Sequence, residues 1–282
     1  MKQIYIDGHS GCNLEIYNNT ILKTTVSDSY KHRLRKQCQK QKFFLKQKMS
    51  NIVIPEIISE NWDNSVQKFG FSMQYFYAND FINFFESNSI CYLKDKIRLI
   101  ISFIEYNIAT SKLTKINKQV FLKKYCDVKN TILNHRFYSD NTFKYIFDSF
   151  EEELYQLQNV LEIPIGQCHG DLTFSNILFL KNDIVLIDFL DNFLETPLQD
   201  IVKIRQDTKH KWSLLLIKKE YDEIKINLIL DFFDSIIDNY FNKYKFYRTY
   251  YSIFAKINLM RIIPYVKQEK IFNYLIQEFK SL

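Results

Sequence analysis

The sequence predicts an α+β fold in two lobes, a small β-rich N-lobe over residues 1–75 and a larger, mainly helical C-lobe over residues 76–282. Three observations predict it. Short β-forming runs dominate the first 75 positions. Apolar residues then recur at helical spacing, as in Leu93, Ile97, Ile100, Ile101 and Ile104. Between helical stretches stands one hairpin of β-formers, Ile177-Leu-Phe-Leu180 and Ile184-Val-Leu-Ile187 around Lys181-Asn-Asp183. With 282 residues the chain can bury a substantial core. Its five glycines and four prolines leave few breaks, which favours long helices and few linkers.

In order, Ile4-Tyr-Ile6, Leu14-Glu-Ile-Tyr17 and Thr20–Thr25 read as three strands, turned at Gly8–Cys12 and at Asn18-Asn19. A helix follows over about Tyr30 to Lys48. Then come a strand at Ile52–Pro55, a polar turn around Asn61–Asn64 and a strand at Phe69–Tyr75. Past Tyr77 the spacing predicts helices over roughly 80–87, 92–114, 118–136 and 142–159, then the hairpin, then helices from about Leu198 to the end.

Hydrophobic residues at 46% and charged residues at 25% are ordinary for a soluble globular protein. Five scattered cysteines, odd in number and without metal-ligand spacing, suggest reduced thiols in a cytoplasmic protein. The start, Met1–Asp7, carries a charge too soon for a signal peptide. The best membrane candidate, Ile97–Ile108, is too short to span and contains Arg98 and Glu105. Net charge is +6, and residues 31–48 hold eight basic and no acidic side chains. Such a helix can be a nucleic-acid patch. Here it is backed by Leu34, Cys38, Gln41 and Leu45 at helical spacing, and no nucleic acid is expected as a partner.

The chemistry is concentrated in Cys168-His-Gly-Asp-Leu-Thr-Phe-Ser-Asn-Ile-Leu178 and Val185-Leu-Ile-Asp-Phe189. His169, Asp171, Asn176 and Asp188 stand as His-x-Asp-x-x-x-x-Asn followed by Asp-Phe, the order of a phosphoryl-transfer site of the protein-kinase type. In that chemistry one Asp orients the acceptor hydroxyl, while Asn and the second Asp hold magnesium on a nucleoside triphosphate. The hairpin would carry Asn176 at its entrance and Asp188 at its exit, bringing two oxygen ligands to one hard cation.

With these residues in place, the chain resembles the aminoglycoside phosphotransferase/choline kinase family along nearly its whole length. That implies a bilobal protein-kinase-like fold and a kinase that uses ATP, or another nucleoside triphosphate, and Mg²⁺ to phosphorylate a hydroxyl of a small molecule. Gly170 stands where protein kinases usually carry Arg, and Pro197-Leu-Gln-Asp200 follows Asp188 too soon for a long activation segment. The resemblance makes Asp171 the catalytic carboxylate and Asn176 and Asp188 the metal ligands. Lys23 matches the lysine on the α and β phosphates, the alternative being a surface lysine on an edge strand. Gly8, Ser10, Gly11 and Cys12 match the phosphate-covering loop. Gln74 and Tyr75, in the hinge, would present backbone groups to adenine. His169 would fix the loop and Asp200 would brace it. Asp191 either faces substrate or is simply solvated.

One departure from the pattern is plain. Kinases pair the phosphate-binding lysine with a Glu on the following helix, and no acidic residue occurs between Asp28 and Glu56. Gln39 or Gln41 could accept a hydrogen bond from Lys23 instead, with Asp28 the next candidate. The missing Glu also raises a second function, a nucleotide-binding pseudokinase scaffold. For the acceptor, Lys203, Arg205, Lys209 and Lys211 would repel a polycation if they faced the cleft. The sequence therefore points to a neutral or anionic hydroxyl compound, a sugar or polyol for cell-surface glycan synthesis, ahead of choline, ethanolamine or an aminoglycoside.

Overall fold

The computed structural model describes residues 4–7, 12–63 and 68–282. Its backbone gathers into two compact units. One comprises Met1–Phe103, His169–Asn192 and Tyr221–Ile226, and the other Ile104–Cys168, Phe193–Glu220 and Asn227–Leu282. Residues 169–192, which carry the hairpin of β-formers, group with the N-terminal sheet and helix in the first unit.

In the first unit, β1 (Ile4–Asp7), β2 (Asn13–Tyr17), β3 (Thr20–Thr25), β5 (Ile57–Asn61) and β6 (Phe69–Gln74) form an antiparallel sheet in the order β1-β2-β3-β6-β5. Lys23 pairs with Phe71 and Thr24 with Gly70. A Cβ at Gly70 would lie 2.1 Å from the Lys23 carbonyl oxygen, so only glycine allows that approach. Helix α1 (Asp28–Leu45) is capped by Ser27, whose side chain accepts the Tyr30 N–H. It therefore starts two residues earlier, and ends three earlier, than the sequence predicts. Leu34 and Cys38 on α1 pack against Phe71 and Met73 of the sheet.

The expected strand at Ile52–Pro55 shrinks to β4 (Ile52–Val53), which joins a different sheet. It runs parallel to β10 (Ile184–Leu186), itself antiparallel to β9 (Ile177–Phe179). The strand beside β6 is β5, where the sequence shows no clear period-two pattern. As an edge strand it is mostly exposed. Helix α2 (Phe81–Ser87) buries Phe81, Phe84 and Phe85 against Phe174 and Phe179 of the segment that runs from His169 to Asp188. Helix α3 (Ile90–Thr110) divides between the units at Phe103.

The second unit holds β7 (Lys112–Asn117) paired with β8 (Val160–Ile165), with α4 (Gln119–Leu133), α5 (Asp140–Gln156), α6 (Pro197–Thr208), most of α7 (Glu223–Phe241), α8 (Lys245–Ile262) and α9 (Glu269–Lys280). The β7–β8 pair replaces residues the sequence assigns to helix ends or loops. All twelve residues of α6 are buried. Arg205 on α6 donates to Asp234 at 2.7 and 2.9 Å and to Asp238 at 2.6 Å. All five cysteines are free thiols. Among the described residues no helix is long and apolar enough to cross a membrane.

Candidate active site

Every residue of the central constellation lies in the first unit. The loop that enters it turns at Gly170, whose φ of +89° belongs to the left-handed region open to glycine. A Cβ there would also lie 1.9 Å from the Leu190 carbonyl oxygen. Bulk at this position is thus excluded twice, which gives a physical reason for Gly between His169 and Asp171. The Asp171 N–H then donates to His169 Nδ1 at 3.2 Å, and the Thr173 N–H to the Asp171 carbonyl at 2.8 Å. A short 3₁₀ turn, Phe174–Asn176, brings Asn176 back over the loop. The Asn176 amide nitrogen donates to the Asp171 carbonyl at 2.8 Å and to Asp171 Oδ2 at 3.0 Å. The side chain is thereby oriented, with Oδ1 turned away from Asp171 as an acceptor.

The β9–β10 hairpin carries the second carboxylate. The Ile187 N–H donates to the Asn176 carbonyl at 3.1 Å, tying the two ends of the hairpin together. The turn of the hairpin is held by α3, where Lys96 Nζ donates to the Lys181 and Asp183 carbonyls at 3.0 and 3.2 Å. Asp188 itself has φ +61°, an uncommon backbone for a residue with a Cβ. Its Oδ1 accepts from Lys23 Nζ at 2.8 Å, with side-chain exposures of 40% and 4% respectively. Lys23 stands on an interior strand, so the surface-lysine alternative is excluded. Burial works against its charge, but the adjacent Asp188 carboxylate outweighs that and holds the ammonium above its usual range.

His169 is fully buried, and burial depresses its pKa to about 4, against the attraction of Asp171 and with a smaller push from Lys40. At neutral pH it is uncharged, and Nδ1 acts as the acceptor that fixes the Asp171 N–H. Its ring lies 4.3 Å from the Phe189 ring, which stacks 5.0 Å from Phe44 of α1. That aromatic column anchors the residue after Asp188.

Other expectations fare differently. Neither glutamine takes up Lys23: Gln39 is exposed, and Gln41 Nε2 donates to the Pro55 carbonyl at 2.7 Å. Asp28 is exposed in the first turn of α1, and the partner of Lys23 is Asp188. Asp191 is neither simply solvated nor free, since Lys36 pairs with it at 3.3 Å. Gly8, Ser10 and Gly11 lie outside the described residues, while Cys12 is buried near enough to Lys23 to act on its charge. The N–H groups of Gln74 and Tyr75 are already donated, to the Glu56 and Asn19 carbonyls at 2.9 and 2.8 Å. A cavity of about 450 Å³ opens beside Tyr75 and is also lined by Tyr77, Asn79, Phe84, Phe179 and Lys181. Lys23, Asp171, Asn176 and Asp188 take no part in that cavity. Asp200 is buried in the first turn of α6 in the second unit.

The basic residues expected to repel a polycation are largely spent inside the second unit. Arg205 is neutralised by Asp234 and Asp238, Lys211 pairs with Asp231, and Lys203 is buried and donates to Gln206. Their charge therefore carries no argument about the acceptor. The Glu151-Glu-Glu153 run is likewise partly paired, Glu151 with Lys129 and Glu153 with Lys256. Sequence reasoning missed Lys40 and Gln37, both buried on α1. Lys40 is four residues before Phe44 and Gln37 four before Gln41, a spacing that was a signal that they share an inward face.

A hard divalent cation fits this donor set. Magnesium is held by one or two protein oxygens together with phosphates and waters, and Asn176 Oδ1 with the Asp188 carboxylate would supply them. Among the described residues no group of three or more His, Cys, Asp or Glu side chains could hold a metal by itself.

No protein-family model matches the sequence, and no curated protein matches it. Solved structures do match in fold. The complex of gentamicin with APH(2")-IIa aligns over 100% of this chain and 91% of that one, with TM-score 0.61 and 13% identity. A glucosamine kinase in complex with glucosamine, ADP and inorganic phosphate aligns over 99% and 79%, with TM-score 0.62 and 10% identity. The GDP complex of aminoglycoside 2'-phosphotransferase-IIIa aligns over 100% and 93%, with TM-score 0.61 and 12% identity. The chain thus has the mixed α/β kinase-like fold on which these small-molecule phosphotransferases are built, a sheet-rich N-terminal part followed by a helical C-terminal part.

Proposed function

We propose that the protein is a kinase that uses Mg²⁺ and ATP, or another nucleoside triphosphate, to phosphorylate a hydroxyl of a small molecule in the cytoplasm. The observation that carries this reading is the gathering of Lys23, Asp171, Asn176 and Asp188 by three contacts: 2.8 Å between Lys23 and Asp188, 3.0 Å between Asn176 and Asp171, and 3.1 Å from the N–H of Ile187, the residue before Asp188, to the Asn176 carbonyl. The fold shared with phosphotransferases supports it.

In this reading residues 1–75 bind nucleotide and residues 76–282 carry the catalytic hairpin. Lys23 turns from Asp188 to the α and β phosphates. Asp171, its carboxylate steadied by Asn176, accepts a hydrogen bond from the acceptor hydroxyl and takes its proton as the oxygen bonds to the γ-phosphorus. The bond from that phosphorus to the β–γ bridging oxygen breaks, and the diphosphate leaves. Asn176 and Asp188 would hold the magnesium ion, which offsets phosphate charge when bound. His169, neutral and buried, keeps the Asp171 backbone in place. Because the N–H groups of Gln74 and Tyr75 are occupied, adenine would meet the donors just beyond them, at residues 76–78.

For the acceptor we propose a sugar or polyol, with a role in cell-surface glycan synthesis. The support is that gentamicin, streptomycin and glucosamine, named with proteins of similar fold, are all sugar compounds. Because Arg205 and Lys211 are paired with Asp234, Asp238 and Asp231, their charge does not stand against a polycationic acceptor such as an aminoglycoside. The experiment is a metabolite panel of sugars, amino sugars and amino alcohols, scored for Mg²⁺-dependent nucleotide consumption with wild type and Asp188→Asn. Wild-type turnover that the variant lacks while remaining folded supports the kinase. A folded variant near the wild-type rate sinks the metal assignment, and nucleotide binding without turnover in wild type would favour a scaffold.

A further inference from the structure

We infer that Lys23 keeps free divalent cations off Asp188 and admits one only together with a nucleotide. The inference rests on the kinase reading of that site and concerns how its two ligands enter. Both cations of that reading need the same group. The Asp188 carboxylate, which would hold magnesium, is the acceptor for the Lys23 ammonium at 2.8 Å. Neither side chain has another hydrogen bond or ion pair among the described residues. The arrangement follows from the departure seen on α1. With no acidic residue between Asp28 and Glu56, the lysine takes its counter-charge from the metal ligand itself.

Both partners are mounted so that the contact persists. Lys23 stands on β3 between Leu14 of β2 and Phe71 of β6, and its side chain is buried, so the ammonium has no easy retreat into water. Asp188 sits on its left-handed backbone at the hairpin exit, one residue beyond the Ile187 N–H that donates to the Asn176 carbonyl. The remaining groups offset a second cation poorly. Asn176 offers a neutral oxygen, and Asp171 Oδ2 already accepts from the Asn176 amide at 3.0 Å. A divalent ion on Asp188 would therefore share one carboxylate with an ammonium, with no anion between the two positive charges. At a half-buried position such a neighbour weakens cation binding by roughly one to three powers of ten. A nucleotide changes the balance, because its phosphates present anions to Lys23 and to the ion at once. Each ligand removes the obstacle to the other, and that coupling is reciprocal.

The test counts bound metal and needs no turnover. Mn²⁺ serves as the probe, its free fraction read by electron paramagnetic resonance on the whole chain without nucleotide. Lys23→Met keeps the apolar stem and removes the ammonium. It should bind one Mn²⁺ per chain on the order of 100-fold more tightly than wild type. Lys23→Gln, an independent neutral variant should the first misfold, should gain the same ion, whereas Lys23→Arg should stay as weak as wild type. Adding Asp188→Asn to Lys23→Met should remove the gained ion, and adding a non-hydrolysable nucleotide to wild type should bring tight Mn²⁺ binding. Equal nucleotide-free affinity in wild type and the neutral variants, with wild type still binding Mn²⁺ alongside nucleotide, would overturn the inference and spare the kinase reading. A gained ion in the neutral variants, with no nucleotide binding by wild type, would overturn the kinase reading and leave the Lys23 gate standing. No Mn²⁺ on any form, with or without nucleotide, would overturn both.

Discussion

Two ion pairs, one in each unit, show how differently the same chemistry can be used. Arg205 is saturated: its guanidinium meets Asp234 through two bonds, Asp238 and the Tyr247 hydroxyl, and it lies over the Tyr251 ring at 4.6 Å. Thr208 adds a further bond to Asp234 at 2.8 Å. Lys23 and Asp188 share one contact, on a carboxylate that is 40% exposed and mounted on a left-handed backbone. A saturated pair has nothing left to bind and serves as an anchor. An undersaturated one, whose carboxylate can exchange an ammonium for a cation, is where ligand chemistry can enter.

The sharpest way to break this contrast is to remove the anchor. Arg205→Met should destabilise the protein by about 3–5 kcal/mol, because it leaves the largely buried Asp234 carboxylate without its partner. Turnover per folded molecule should stay near wild type. Asp188→Asn should do the reverse, removing turnover and sparing the fold. Denaturant melts paired with active-site titration read both. A loss of specific activity in Arg205→Met matching that of Asp188→Asn would abolish the distinction.

A second test uses pH. His169 is held neutral by burial, with a folded pKa of about 4 against an ordinary value of 6.5. The unfolded chain therefore binds the proton more readily, and stability falls as pH drops through that window. The contribution, complete above pH 6.5, should decline by up to roughly 3 kcal/mol on the way to pH 4. His169→Asn should flatten that part of the stability–pH curve relative to wild type. An unchanged slope would show that His169 is solvated, and the account of how it holds the Asp171 backbone would need revision.

The segment from Asp171 to Asp188 was legible because its signal is local. Asp171, Asn176 and the hairpin to Asp188 sit within eighteen positions, and the hairpin strands are apolar and buried. What the sequence concealed was pairing at a distance. β5 has one half-buried residue and four exposed ones, and β7 alternates between exposed and intermediate positions, so neither shows the hydrophobic alternation that marks a strand. The partner of Lys23 is 165 positions away, and a carbonyl that Lys40 donates to is 150 away. Absence of an acidic residue from α1 beyond Asp28 was visible, but the substitutes it suggested, Gln39 and Gln41, were chosen by proximity in sequence. One of them faces solvent and the other faces the sheet.

The smallest expected effect concerns Gln37, the residue on α1 that comes closest to a pure cost. It is 2% exposed, and neither its amide nitrogen nor its amide oxygen has a hydrogen-bond partner among the described residues. Arg205 shows what a satisfied buried polar group requires in this protein, and Gln37 has none of it. An amide buried without partners costs about 1–3 kcal/mol, whereas an apolar group of similar size costs nothing of that kind. Gln37→Leu should therefore stabilise the ligand-free protein by about that amount. The comparison becomes sharper with Mg²⁺ and a non-hydrolysable nucleotide present. If the amide gains a partner as Lys23 leaves Asp188, the advantage of the leucine variant should shrink or reverse on loading, and its nucleotide affinity should fall by the same factor. Equal gains in both states would make Gln37 a passive defect of the core. A ligand-free variant no more stable than wild type would mean that a bound water already satisfies the amide.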